Sequence, residues 1–143
     1  MKLLILNGPN LNFLGKREKN IYGSKSFDDL ISYVKDYGKK NNVEIITYQS
    51  NSEGSIIDYL YAHYTEVDGL IINGGAYAHT SIAIMDCIKG IGIKTINVHL
   101  TNVNEREEFR HVDYLSLVSL KTCMGRGFDS YIDAIDYFIK EEK

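Results

Sequence analysis

Apolar and polar positions along this chain follow two spacings in turn. Short, nearly continuous apolar runs occur at Leu3–Leu6, Val43–Tyr48, Leu70–Ile72, Thr95–Val98 and Leu115–Leu120, as expected of strands buried on both faces. Between them, apolar residues recur at helical steps: Phe27, Leu30, Ile31, Val34 and Tyr37; then Ile56, Ile57, Leu60, Tyr61 and Tyr64. Ile82, Ile84, Met85 and Ile88 form a third set, and Tyr131, Ile132, Ile135, Phe138 and Ile139 a fourth. Each set makes one stripe on a helix. Ser26-Phe27-Asp28-Asp29 marks the first helix start, because the serine oxygen and the third-position carboxylate can cover free N–H groups. Strands alternating with helices predict one α/β domain over residues 1–143, a five-stranded parallel sheet with helices on both faces. Ligands of such sheets bind outside the carboxyl ends of the strands. The positions to inspect therefore follow Leu6, Gln49, Ile72, Val98 and Leu120.

Composition narrows the chemistry. A chain of 143 residues suits one domain, and its formal charge of -3 argues against nucleic acid or an anionic membrane surface as partner. No apolar run reaches the ~18–20 residues of a membrane span. The run after Lys2 is cut off by Gly8-Pro9, too soon for a secretory signal, so a cytoplasmic location is expected. Cys87 and Cys123 lack the short spacing of zinc or redox pairs and read as small buried hydrophobes. His63, His79, His99 and His111 are scattered, with no HExxH pattern or carboxylate cluster, so no metal is expected.

The strand ends carry the candidates. After the first strand the chain reads Asn7-Gly8-Pro9-Asn10 and continues to Gly15-Lys16-Arg17, then Tyr22-Gly23. This is no P-loop, since six residues rather than four separate Gly8 from Gly15-Lys16 and Arg17 replaces the hydroxyl residue. A loop of about sixteen residues exceeds the usual connection and points to function, with Gly15 and Gly23 as hinges of a lid. After the third strand come Asn73-Gly74-Gly75 and His79-Thr80-Ser81, where Thr80 or Ser81 can cap a helix that contains Asp86. On the fourth strand Asn97 and His99 share a face, so the amide can hold the imidazole in one tautomer. Arg106 and Arg110 stand four apart, on one helix face. Taken singly, each also reads as ordinary structure: a solvated Arg17, a packing Tyr22, a structural His99, a surface Asp86 and a charged turn. Together, Tyr, Arg, His and Asn at strand ends suit proton transfer on a carbonyl compound through a stabilised enolate.

Four blocks in order then resemble type II 3-dehydroquinate dehydratase: Asn-Gly-Pro-Asn-Leu-Asn-x-Leu-Gly-x-Arg-Glu with Tyr22-Gly23, Gly-Ala-Tyr-x-His-Thr-Ser, Val-His-Leu-Thr-Asn, and Arg-Glu-Glu-Phe-Arg-His. The likeness runs from Leu3 to the last helix. It implies a flavodoxin-like fold, a dodecamer of trimers, and the shikimate-pathway dehydration of 3-dehydroquinate to 3-dehydroshikimate with neither metal nor cofactor. Carried over by position, Tyr22 would be the base at C2, Arg17 its activator, Asn10 the holder of a water at the enolate and His99 the acid at the C1 hydroxyl. Asn73, His79, Asp86 and Arg110 would bind substrate hydroxyls, and the Leu100 and Thr101 amides the carboxylate. Arg106 matches a second arginine of the mobile site, and Asp86 would act across a subunit contact. A free tyrosine has pKa ~10, and a neighbouring cation lowers such a value by about one to three units, which makes an arginine-assisted base workable.

Three positions depart from the family pattern. Lys19 replaces a proline before the tyrosine, and Gly74 stands where many members have proline or alanine. Asn97 replaces the glutamate of Glu-Val-His. An amide carries no charge, so a His99 without an acidic partner is expected to be a poorer acid near neutral pH. A weakened homologue that binds a related polyhydroxy acid is the alternative to an active dehydratase.

Overall fold

The sheet consists of β1 (Lys2–Asn7), β2 (Glu44–Gln49), β3 (Gly69–Asn73), β4 (Thr95–His99) and β5 (Lys121–Met124), all parallel, in the order β2-β1-β3-β4-β5. It is seen in a computed structural model that describes residues 1–16 and 25–142. Four helices cover it: α1 (Phe27–Lys40), α2 (Glu53–His63), α3 (Ile82–Ile91) and α4 (Asp129–Glu142). This is the doubly wound arrangement expected from the alternating pattern, and its strand order reverses between β1 and β3.

Alternation along β1 divides the core in two. Leu3 and Ile5 pack with Leu30 and Val34 of α1 and with Tyr131 and Ile135 of α4. Leu4 and Leu6 face the other way, onto Ile56 and Leu60 of α2 and Ile84 and Ile88 of α3. Each such side chain, fully buried, contributes roughly 1.5–3 kcal/mol. Helices start at the expected Ser26 and Ser81, and a further serine, Ser52, caps α2. Ser26 and Asp29 form a reciprocal capping box, Ser52 accepts from the Ser55 N–H at 3.2 Å, and Ser81 accepts from the Ile84 N–H at 2.9 Å. Cys87 and Cys123 are free and buried.

The fifth strand lies later than its apolar signal. Leu115–Leu120, expected as a strand, is mostly a 3-10 turn over Tyr114–Val118, and β5 begins at Lys121. Only Leu115 of the run is fully buried, while Leu117 and Leu120 are 74% and 56% exposed. Asp113 starts the turn by accepting from the Ser116 N–H at 3.2 Å, an N-cap that outcompetes strand geometry locally. β5 is an edge strand that buries only Cys123.

At the switch point the chains leaving β1 and β3 touch. The Gly8 N–H donates to the Asn73 carbonyl at 2.8 Å, and a Cβ on Gly8 would lie 2.2 Å from the Gly74 carbonyl oxygen. Only glycine permits that approach. Gly74 is constrained too, since a Cβ there would meet Leu115 Cδ1 at 2.6 Å.

Candidate active site

Three buried polar groups form the floor beneath the switch point. The Tyr131 hydroxyl donates to Asn7 Oδ1 at 2.6 Å and accepts from Asn73 Nδ2 at 2.9 Å. Burial, only partly offset by the Asn73 amide, pushes the phenol's pKa upward and keeps it neutral. Asn73 Oδ1 accepts from the Gly75 N–H at 3.1 Å, so its side chain is clamped at both ends. Asn7 and Asn73 are adjacent partners across β1 and β3, which is why the two strand-end amides meet.

Above this floor lies a cavity of about 120 Å³. Asn10, Asn73, His79 and His99 line it, as do Leu100, Thr101, Arg106 and Arg110. Eight residues picked from the ends of three strands, β1, β3 and β4, thus converge on one space. Asn10 has a left-handed backbone (φ 70), and its N–H donates to Asn51 Oδ1 at 3.0 Å. Pro9, Leu11, Gly75, Ala76 and Val103, not singled out in the sequence, complete the wall. Among the described residues no group of three or more His, Cys, Asp or Glu side chains could hold a metal ion, and no helix is long and apolar enough to cross a membrane.

Two imidazoles stand nearly parallel in the cavity, with centroids 5.8 Å apart and 14° between their planes. His79 Nδ1 is 2.7 Å from the Val112 carbonyl oxygen. A carbonyl only accepts, so Nδ1 carries the proton and Nε2 is left for a ligand. Burial lowers the pKa of His79, helped by the positive neighbours His99 and Arg110 and opposed by the Val112 carbonyl and Asp113.

His99 has a different partner. Its Nε2 is 2.8 Å from Asp113 Oδ2, and both side chains are nearly buried, 6% and 10% exposed. Asn97 Nδ2 donates to the same carboxylate oxygen at 2.7 Å and is 3.3 Å from Thr122 Oγ1. Burial works against the charge on Asp113. The hydrogen bond and attraction of His99, the Asn97 amide and the Ser116 N–H outweigh it and hold the carboxyl below its ordinary value. Two expectations are corrected here. Asn97 does not hold the imidazole directly; both bind a third group. Nor does His99 lack an acidic neighbour, because the turn that displaced the predicted strand delivers one from residue 113. An aspartate three residues before a serine, Asp113-Tyr114-Leu115-Ser116, was the available signal for that turn.

Arg106 and Arg110 reach the cavity without sharing a helix. The segment folds as 3-10 turns over Val103–Glu105 and Glu108–Arg110, with Arg106 extended between them. The Asn102 side chain caps the first turn, and Arg110 Nε pairs with Glu107. Asp86 is not brought to the cavity of its own chain. It is exposed on α3, beside a groove that also includes Leu117 and Leu120. Arg17, Lys19, Tyr22 and Gly23 lie outside the described residues.

Comparison with known proteins agrees with this fold. The family model for dehydroquinase class II matches residues 1–139. A 3-dehydroquinate dehydratase of Clostridium beijerinckii is 52% identical over 136 residues, covering 94% of this chain and 93% of that protein. One from Thermotoga petrophila is 45% identical over 141 residues, covering 99% and 96%. The crystal structure of type II dehydroquinase from Butyrivibrio crossotus superposes with a TM-score of 0.92 at 50% identity, covering 96% of each chain.

Proposed function

This chain belongs to the class II dehydroquinase family, and from that premise we propose that it is a hydro-lyase that converts 3-dehydroquinate to 3-dehydroshikimate in the shikimate pathway. The observation that carries the reading is the convergence of Asn10, Asn73, His79, His99 and the two arginines on one cavity at the switch point. That set supplies cations for a carboxylate, amides for hydroxyls and an imidazole for proton transfer, as loss of water beside a carbonyl requires.

In the proposed reaction Tyr22, activated by Arg17, takes the C2 proton and leaves an enolate. Asn10 holds a water against the enolate oxygen. Protonated His99 then gives its proton to the C1 hydroxyl, the C1–O bond breaks, water departs and the enolate electrons form the new double bond. Asn73, His79 and Arg110 bind hydroxyl groups, the Leu100 and Thr101 N–H groups hold the carboxylate, and Arg106 adds positive charge over the anion. Asp86 would serve the cavity of a neighbouring copy. Exposed Ile82, Leu117 and Leu120 near it support burial between copies, in line with a dodecamer of trimers in the cytoplasm.

The weakened-binder alternative starts from a His99 without a carboxylate, and Asp113 Oδ2 at 2.8 Å from its Nε2 supports the active reading instead. Absorbance of the conjugated enone, followed after 3-dehydroquinate is added to the purified protein, tests the proposal. A rise that scales with enzyme is expected. Binding of the substrate with no rise across the pH range would leave the weakened-binder reading in its place.

A further inference from the structure

We propose that Asp113 is the positioning residue of the acid step: its carboxylate holds His99 with a proton on Nε2, so that Nδ1 is the nitrogen that meets the departing hydroxyl. The inference rests on the dehydratase reading for its chemistry, but its geometry stands independently.

Three observations point the same way. First, one oxygen, Asp113 Oδ2, serves both His99 Nε2 at 2.8 Å and Asn97 Nδ2 at 2.7 Å. A carboxylate only accepts, so Nε2 must carry hydrogen in either charge state of the ring. Nδ1 makes no hydrogen bond to a described residue, which leaves it for substrate. Second, Asn97 is turned with its N–H toward Asp113 although this leaves its buried Oδ1 without a partner. A buried acceptor left without a partner is destabilising. The opposite flip would set Oδ1 against the carboxylate, so the charge of Asp113 dictates the amide's orientation. Third, the carboxylate cannot swing away. Its Oδ1 accepts from the Ser116 N–H at 3.2 Å, and Ser116 Oγ donates to the Asp113 carbonyl at 2.6 Å.

The surroundings make the charge necessary. His79 stacks beside His99, and Arg106 and Arg110 share the cavity. The guanidinium groups favour an anionic substrate, and the Asp113 carboxylate is the negative charge set against them beside His99. Among the described residues, Asp113 is the one carboxylate bonded to His99. When the imidazolium gives its Nδ1 proton to the hydroxyl leaving C1, the product is water and a neutral ring. That ring keeps its Nε2–H on Asp113.

Asp113→Asn is the first test. A hydrogen bond to a charged group is worth about 1.5–3 kcal/mol, so kcat should fall about 10- to 100-fold while KM changes about twofold at most. The double variant Asn97→Glu with Asp113→Asn returns a carboxylate from the neighbouring strand position and should recover most of kcat. A double variant no faster than D113N assigns Asp113 to folding alone and overturns the proposal, as does D113N with unchanged kcat. Should the variants fail to fold, nitrogen–proton correlation spectra of the imidazoles in the unmodified protein still decide. The neutral His99 ring should carry its proton on Nε2, and a proton on Nδ1 overturns the proposal. An unmodified protein that does not dehydrate 3-dehydroquinate would instead count against the dehydratase reading, and the tautomer would still test Asp113.

Discussion

His79 and His99 are the same side chain, stacked 5.8 Å apart in one cavity, and consecutive residues of one turn fix them. The Val112 carbonyl takes the first and the Asp113 carboxylate the second. A neutral acceptor sets the tautomer of His79 but gives little support to a charged ring, and burial lowers its pKa. A carboxylate sets the tautomer of His99 and balances a positive charge as well. In the proposed reaction, the difference between a ligand for hydroxyls and a proton donor thus comes from the partner rather than the ring.

The largest effect should separate the two rings directly. His99→Gln removes the acid and should lower kcat about 100- to 10,000-fold, read from enone absorbance. A loss below tenfold would show that another group protonates the leaving hydroxyl. Tyr131→Phe should leave both rings in place while it unpairs Asn7 and Asn73 beneath them. Its cost is about 1–3 kcal/mol of stability, measurable by urea unfolding, with the imidazole spectra unchanged. His79→Gln should act mainly on KM, by about tenfold, as the loss of one hydrogen bond to substrate. A fall in kcat as large as that of the His99 variant would erase the distinction drawn between them.

The smallest effects lie in the pH dependence of stability. The folded-state pKa of His79 is lowered from 6.5, so the unfolded chain binds its proton first as pH falls. The associated stability is complete above 6.5 and lost as pH drops through the lowered value. The carboxyl of Asp113 is likewise held below 3.8, so its contribution is complete above that value and disappears on further acidification. Unfolding free energies measured with pH should therefore lose the upper limb in His79→Gln and the lower limb in Asp113→Asn. Loss of the same limb in both variants would mean that His79 and Asp113 titrate as one unit.

Much of this architecture was legible in the chain. Runs such as Leu3–Leu6 alternate between two cores, and Ser26 and Ser81 cap helices through neighbours three residues away. Such signals are local, so spacing and residue type suffice to read them. The fifth strand was misread because Leu115–Leu120 has strand-like composition, while the Asp113 cap and the edge position of β5 decide where pairing begins. Arg106 and Arg110 line one cavity but share no helix, since two short turns bring them to the same wall.

What the sequence determined by itself was the set of chemical groups at the strand ends, because a parallel sheet sends those ends to one side whatever the details of packing. What only the tertiary structure decided was the partner of His99. Position 97 reads as a lost charge along the chain, but Asp113, 14 residues beyond His99, is aimed at it by a turn that no periodicity encodes. Electrostatic contact depends on distance through space, and the two residues meet only when the chain after β4 returns across its own strand end.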